Sequence, residues 1–233
     1  MNSRPAISII IPTLNEANGL GDLLDHLNAV MNRQLIMEII IVDGGSIDKT
    51  VSIAKKYACK TLHSEKRMAK QMNHGAMRSK GHILYFLHAD TYPPKNFDLL
   101  ILQSITNGFQ AGCFRMEFDT KNPVLRFFAY LSRINHALCR GGDQSLFISK
   151  DAFFSQGGFN EDYLIYEDTE FIRRLYRKLN FKIIPENVIT SARKYREKGW
   201  LKVQYHFGMI HLKNYLGAKP NELYRYYKKY FLT

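Results

Sequence analysis

A histidine and an aspartate two positions apart, His88 and Asp90, follow the apolar run Ile83–Leu87 in the segment "FLHADTYPP". Two further acids stand in the same kind of place: Glu16 in "PTLNE" after the run Ala6–Ile11, and Asp43 in "DGGS" after Met37–Val42. Each segment alone reads as a turn, since Pro, Asn, Asp, Gly and Ser are the usual turn formers. Three acids, each just past a short apolar run, are harder to explain that way and point to a nucleotide site. A divalent cation on Asp90 would hold the phosphates, because Mg2+ or Mn2+ takes one or two protein carboxylates and completes its shell with phosphate oxygens and water. A second acidic set, Glu167, Asp168 and Glu170, falls in "YEDTEF". It occupies the first turn of a predicted helix, where acids complement the helix dipole and need no other reason to be present.

The elements that must position these groups follow from periodicity. Ala6–Ile11, Met37–Val42 and Ile83–Leu87 are largely apolar runs of strand length, Cys59–His63 reads as a further short strand, and Leu20, Leu23, Leu24, Leu27 and Met31 recur at helical spacing. Ser46 or Asp48 is placed to cap a helix running to Ala58, and Met68–Ser79 reads as a helix closed by Gly81. Alternating strands and helices imply right-handed crossovers, a parallel sheet and helices on both faces. Ligands then bind at the carboxyl ends of the strands, the edge where all three acids collect. Further on, "RGGDQSLFISKDAFFSQGGF" reads as a glycine-bounded loop, a short strand, a helix and a turn. Phe171, Ile172, Leu175 and Leu179 then give the helix after Tyr166 its apolar stripe.

Composition narrows the function class. The 233 residues suffice for one substantial core, and a hydrophobic fraction of 45% with 23% charged residues is that of an ordinary globular protein. No apolar run is long enough to cross a bilayer and Ile7–Ile11 is too short for a signal peptide, so a cytoplasmic location is expected. Cys59, Cys113 and Cys139 form no CxxC pair and the eight histidines no HExxH, which argues against a disulfide framework and a zinc enzyme. Neither a GxGxxG turn nor a GxxxxGK[ST] loop is present. The net charge is +12, and ten bases against two acids from Arg193 onward put +8 of it in the last stretch. Such a tail suits nucleic acid, anionic lipid or phosphorylated ligands, or is a solvated helix surface.

The ordered segments "ISIIIPTLNEANGLGDLLDHL", "EIIIVDGGSIDKTVSIAKKY", "GHILYFLHADTYPP" and "GGFNEDYLIYEDTEFIRRL" resemble the family-2 glycosyltransferases, inverting enzymes with a GT-A fold. "KQMNHGA", "HADT", "GDQSLFISKDAF" and "TSARKY" resemble more closely a bacterial subgroup of small soluble members, some associated with arsenosugar or carotenoid glycosylation. The resemblance runs from Ile7 to about Leu216. It implies a single, mostly parallel sheet with helices on both faces. Residues 1–192 would form the GT-A domain, with a nucleotide-binding half (1–91) and an acceptor-side half (92–192), and 193–233 a basic, aromatic helical extension.

Carried over by position, Pro12, Thr13, Asn15 and Glu16 would frame the nucleoside, with Gly44, Gln71 and Ala89 beside it. Asp43 would accept a hydrogen bond from the base, for which a uracil N3–H is a natural donor. Asp90 matches the second acid of the family's DxD segment, on metal and diphosphate. His88 replaces the first acid and would bind metal, ribose or phosphate. Arg67 and Met68 stand where the subgroup carries glycine and arginine, so Arg67 would supply that cation from a shifted place. Gly142, Asp143 and Gln144 would meet diphosphate or sugar, Arg193 and Lys194, with Arg196, would screen the leaving diphosphate, and Asp168 with Glu167 beside it matches the catalytic base.

The reaction implied is displacement at an anomeric carbon, with Mn2+ or Mg2+, a nucleoside-diphosphate sugar (UDP-linked foremost) and a hydroxyl acceptor, either a small molecule or lipid-linked. Competing readings are a silent sugar-nucleotide-binding protein, a transferase that forms the sugar–phosphate bond itself, and a basic nucleic-acid-binding module. The last lacks any zinc-finger, ribonucleoprotein or heptad motif, so no nucleic acid is expected. In the tail, Trp200, Phe207, Ile210, Tyr215 and Tyr224 recur at helical spacing. They read as two helices packed on the domain, or as an amphipathic surface for an anionic membrane, peripheral on its inner face.

Overall fold

The computed structural model describes residues 6–232. In chain order its elements are β1 (Ile7–Thr13), α1 (Ala17–Val30), β2 (Ile36–Asp43), α2 (Thr50–Lys56), β3 (Lys60–His63), α3 (Met68–Arg78), β4 (Ile83–Phe86), β5 (Thr91–Tyr92), α4 (Phe97–Thr106) and β6 (Ala111–Phe118). There follow α5 (Pro123–Tyr130), β7 (Leu146–Ser149), α6 (Lys150–Ser155), α7 (Glu167–Lys178), β8 (Phe181–Thr190), α8 (Arg193–Lys198), α9 (Trp200–Tyr215) and α10 (Pro220–Tyr227). The strands form one sheet in the order β3-β2-β1-β4-β7-β6-β8-β5.

The first half matches the parallel arrangement expected: β3, β2, β1 and β4 run parallel, so Thr13, Asp43 and the residues after Phe86 emerge on one edge. Successive residues of β1, β2 and β4 are apolar on both faces because these strands are covered on both sides. Ile9 and Ile11 of β1 face the leucines of α1, while Ile10 faces Ala69, Met72 and Ala76 of α3. Gly75 makes that second packing possible, since a Cβ there would stand 2.5 Å from Ile10 Cγ2. In the second half, β7 is antiparallel to both β4 and β6, and only β6 and β8 restore a parallel pair.

Two boundaries differ from expectation. The helix after "DGGS" stops at Lys56, because Ala58 takes a left-handed conformation (φ 53°). Its N-cap is Lys49, and neither Ser46 nor Asp48 occupies that position. The C-terminal helices share a third core with β6 and α5, built on Phe118, Leu125, Tyr195, Val203, Ile210 and Leu223. Trp200 and Phe207 pack against it as expected, whereas Tyr215 is 76% exposed and Tyr224 lies outside the cluster.

Candidate active site

The loops after β1 and β2 are tied together by reciprocal bonds. Asn15 N–H donates to Ser46 Oγ (2.8 Å) while Ile47 N–H donates to Asn15 Oδ1 (2.9 Å). Glu16 N–H donates to Thr50 Oγ1 (2.8 Å) and Ala17 N–H to Asp48 Oδ2 (3.1 Å). Asp48 Oδ1 also accepts from Thr50 N–H (2.9 Å), so this carboxylate braces two helix starts. Beneath them, the Gln71 amide donates to Thr13 O (2.9 Å) and Val42 O (2.8 Å). Gln71 is therefore a clamp on the strand ends, and its amide nitrogen is not free for a nucleotide as the resemblance implied. Gly44 lies so close that a Cβ would come within 3.1 Å of that amide. Gln71→Leu removes both bonds from a buried position and is expected to cost about 1–3 kcal/mol of stability. Urea unfolding reads this directly, and an unchanged midpoint would discard the clamp.

Asp43 is 1% exposed, with Oδ2 accepting from Gly45 N–H (3.0 Å) and Ser46 N–H (2.9 Å). Its Oδ1 and the neighbouring Thr13 Oγ1 are buried without a hydrogen-bond partner. Buried acceptors are rarely left unpaired, so a donor from a ligand is the fitting complement. His63, at the end of β3, brings Nδ1 to 3.6 Å from Asp43 Oδ2. Sequence reading passed over His63, whose only signal is its place at the end of a neighbouring strand.

The second half of the site assembles around His88. Its Nδ1 is 3.8 Å from Asp143 Oδ1 and its Nε2 3.6 Å from Asp168 Oδ2. Burial opposes a charge on the ring, but the two carboxylates outweigh it and raise the pKa well above the ordinary value. Each ring nitrogen thus faces a carboxylate, and the two acids favour the imidazolium form. Burial raises and His88 more strongly lowers the pKa of Asp143, which ends below its usual value. Glu167 is buried, its Oε2 unpartnered, and burial together with the adjacent Asp168 raises its pKa to about 8. A carboxyl in that state is protonated at neutral pH.

Gly142 lets the "GGDQ" loop come this close, since a Cβ there would collide with Asp168 Oδ2 and with the His88 ring. With Asp168 as the base that the resemblance implies, Gly142→Ala is expected to lower turnover at least about tenfold by displacing it, while nucleotide affinity stays within about twofold. Equal losses in both would tie this loop to the nucleotide instead. Gln144 departs from its implied role: it is buried, donates to Cys139 O (2.7 Å) and accepts from Arg140 and Cys113. Arg140, unflagged by the sequence, is 3% exposed and anchors the loop to the carbonyls of Ser132 and Ile134.

On the other side of His88, buried Ala89 leads to Asp90, whose backbone carbonyl accepts from Ser191 N–H (3.2 Å). The Asp90 carboxylate forms no hydrogen bond or ion pair with another described residue. Burial raises the pKa of Glu16, Arg193 opposes this and Asp90 adds to it, which places the three groups within electrostatic reach. Arg193 Nη2 is 3.6 Å from Glu16 Oε2. Among the described residues no three His, Cys, Asp or Glu side chains form a ready metal cage. An unpaired Asp90 suits a cation that draws its other ligands from phosphate and water.

The remaining cations divide. Lys194 lies over the rings of Phe207 (5.4 Å) and Tyr227 (5.9 Å) and lowers the pKa of Asp143 electrostatically. Arg196 is held bidentately by Asp119 (3.0 and 3.1 Å), which fastens α8 to the end of β6. Arg67 is the exposed N-cap of α3 and lines a pocket of about 300 Å³ with Asp162, Leu164 and Lys219, apart from the His88 cluster.

Comparison with known proteins agrees with this geometry. The profile of glycosyl transferase family 2 matches residues 8–161. An uncharacterised glycosyltransferase of Rickettsia felis is 27% identical over 87% of this chain and 36% of its own length. A dolichol-phosphate mannosyltransferase of Pyrococcus furiosus is 28% identical over 44% of this chain and 30% of its own. The chain spans about a third of the length of the curated relatives it matches. Among solved structures, the mannosyltransferase PcManGT of Pyrobaculum calidifontis, in complex with GDP-Man and Mn2+, superposes with a TM-score of 0.69 at 18% identity, over 98% of this chain and 68% of that one. S. aureus TarS 1–349 in complex with UDP also gives 0.69 at 18% identity, over 80% of this chain and 60% of that one. The fold is that of the GT-A glycosyltransferases, and the chain belongs to glycosyl transferase family 2.

Proposed function

We propose that this chain transfers a sugar from a nucleoside-diphosphate sugar, UDP-linked in the leading case, to a hydroxyl acceptor with inversion at the anomeric carbon. The observation that carries the reading is the buried, unpartnered Asp43 Oδ1, a carboxylate acceptor waiting at the carboxyl edge of the sheet for an N–H donor such as that of uracil. The same edge carries Asp90 and the His88–Asp168 cluster.

In this reading Asp90 holds the divalent cation, with Glu16 beside it. When bound, Mg2+ or Mn2+ supplies charge stabilisation to the diphosphate. Asp168 accepts the proton of the acceptor hydroxyl as its oxygen bonds to the anomeric carbon, and the bond to the diphosphate oxygen breaks with its electron pair leaving on the nucleotide. The His88 imidazolium holds Asp168 and Asp143 in place, and Arg193 adds positive charge on the donor side. The resemblance to a subgroup associated with arsenosugar or carotenoid glycosylation makes both small and lipid-like acceptors worth screening.

Calorimetric titration with UDP, GDP and CDP, each with Mn2+ and then with chelator, tests the donor half. Saturable binding of one nucleotide, weakened at least about tenfold by chelator, is expected. The absence of binding by all three would reject the assignment of Asp43 and Asp90.

A further inference from the structure

Two exposed apolar stripes lie on helices that pack against each other. On α5 and the segment 131–139 after it, Phe127, Tyr130, Ile134 and Leu138 stand outward, and on α9 and its C-cap Leu201, Tyr205, Leu212, Tyr215 and Leu216 do the same. All nine are between 47 and 76% exposed. The inner sides of both helices share one core, where Leu125 and Ala129 of α5 join Val203 and Ile210 of α9. That core is already satisfied, so it gives no reason for the outer stripes. Rows of exposed apolar side chains on two neighbouring helices are candidates for an interaction site.

Charge identifies the partner. Neither 123–139 nor 200–216 contains an Asp or Glu, while Arg126, Arg133, Lys202 and Lys213 lie among the apolar residues. Arg133 lies over the Tyr130 ring (5.2 Å), and Lys198 and Lys219 flank α9. Apolar side chains interleaved with bases, with tyrosines alongside, suit the boundary between headgroups and acyl chains of an anionic bilayer. A second copy docking on the same face would bring like charges together.

Both stripes are mechanically joined to the candidate active site. The segment bearing Ile134 and Leu138 runs directly into Arg140 and Gly142, which set the loop against Asp168. On α9, His211 Nδ1 bonds the Tyr166 hydroxyl (2.7 Å), and Tyr166 is the residue before Glu167 and Asp168; Asn214 Oδ1 accepts from Arg173 of α7 (2.6 Å). We infer that the outer faces of α5 with its trailing turns and of α9 form a docking surface for an anionic lipid bilayer, which holds the acceptor side of the cleft over a membrane-borne acceptor. Its second clause rests on the glycosyltransferase reading; docking itself does not.

The test is co-sedimentation of the full chain, with no nucleotide present, on vesicles of phosphatidylcholine alone and of phosphatidylcholine with phosphatidylglycerol. Binding at least about tenfold stronger on the anionic vesicles is expected, and Tyr205→Glu combined with Leu212→Glu should remove about tenfold or more of it. Arg126→Glu with Lys202→Glu changes charge alone and should weaken binding about tenfold as well, so the question stays decidable even where the first variant fails to fold. Equal or absent binding on the two vesicle types would overturn the inference, as would wild-type binding by a folded variant. A dimer that the same substitutions dissociate would assign the face to a second copy and overturn it too. Because no nucleotide enters the assay, its failure is distinct from failure of the UDP titration.

Discussion

Asp168→Asn should lower turnover by about 10²–10⁴-fold while leaving nucleotide affinity within about twofold. The substitution keeps the volume of the side chain and its place in the first turn of α7, but it removes the carboxylate that we propose takes the acceptor's proton. Asp43, on which the nucleobase reading rests, belongs to β2 and its own loop, so the donor pocket is untouched. Nucleotide affinity by calorimetry and nucleotide release from the donor in the presence of acceptor separate the two effects. Undiminished turnover would move the base elsewhere, and Asp143, on the opposite face of His88, is the next acid in reach.

The half of the fold that was readable in the sequence is the half covered on both sides. Ile7–Ile11, Met37–Val42 and Ile83–Leu87 are apolar on both faces, broken only by Ser8 and Glu38, because each strand has helices above and below it. β6 and β8 escaped because they mix core residues with Arg115, Glu117, Lys182 and Glu186, and β8 contains Pro185. β5 is two residues long and leaves no periodicity at all. The antiparallel placing of β7 follows from its pairing with β4, more than 60 residues earlier. No local pattern records that.

The candidate site divides in the same way. Acids just past apolar runs identify Asp43 and Asp90, because a strand end is a local feature. The pairing of His88 with Asp143 and Asp168 joins three segments far apart in the chain, and it needs Gly142 to admit the loop. Gln144 and Arg196 show another limit of local reading: a sequence displays a polar side chain without its partner, and in the fold one is engaged inside its own loop and the other by Asp119. Only the folded chain shows which donors are already taken.

Glu167→Gln should flatten the pH dependence of stability between about pH 4.5 and 8. Burial and the neighbouring Asp168 raise the Glu167 pKa from its model-compound value of 4.5 to about 8, with His88 and Lys194 opposing. The sign follows from proton counting. Between those two values the native chain keeps a proton that the unfolded chain has lost, so this group makes stability fall as pH rises through that window and adds no further slope above it. A raised carboxylate pKa thus leaves stability whole below about pH 4.5 and diminished at alkaline pH. Glutamine mimics the protonated form, so the variant should lose this slope and be more stable than wild type at pH 8 by about 1–3 kcal/mol. Urea unfolding at pH 5 and pH 8 measures both ends. Turnover at pH 7 should stay within about tenfold of wild type, because the residue already carries its proton there. Parallel stability curves for the two proteins would mean that Glu167 is ionised in the fold, and Asp168 would then share its site with a second charge.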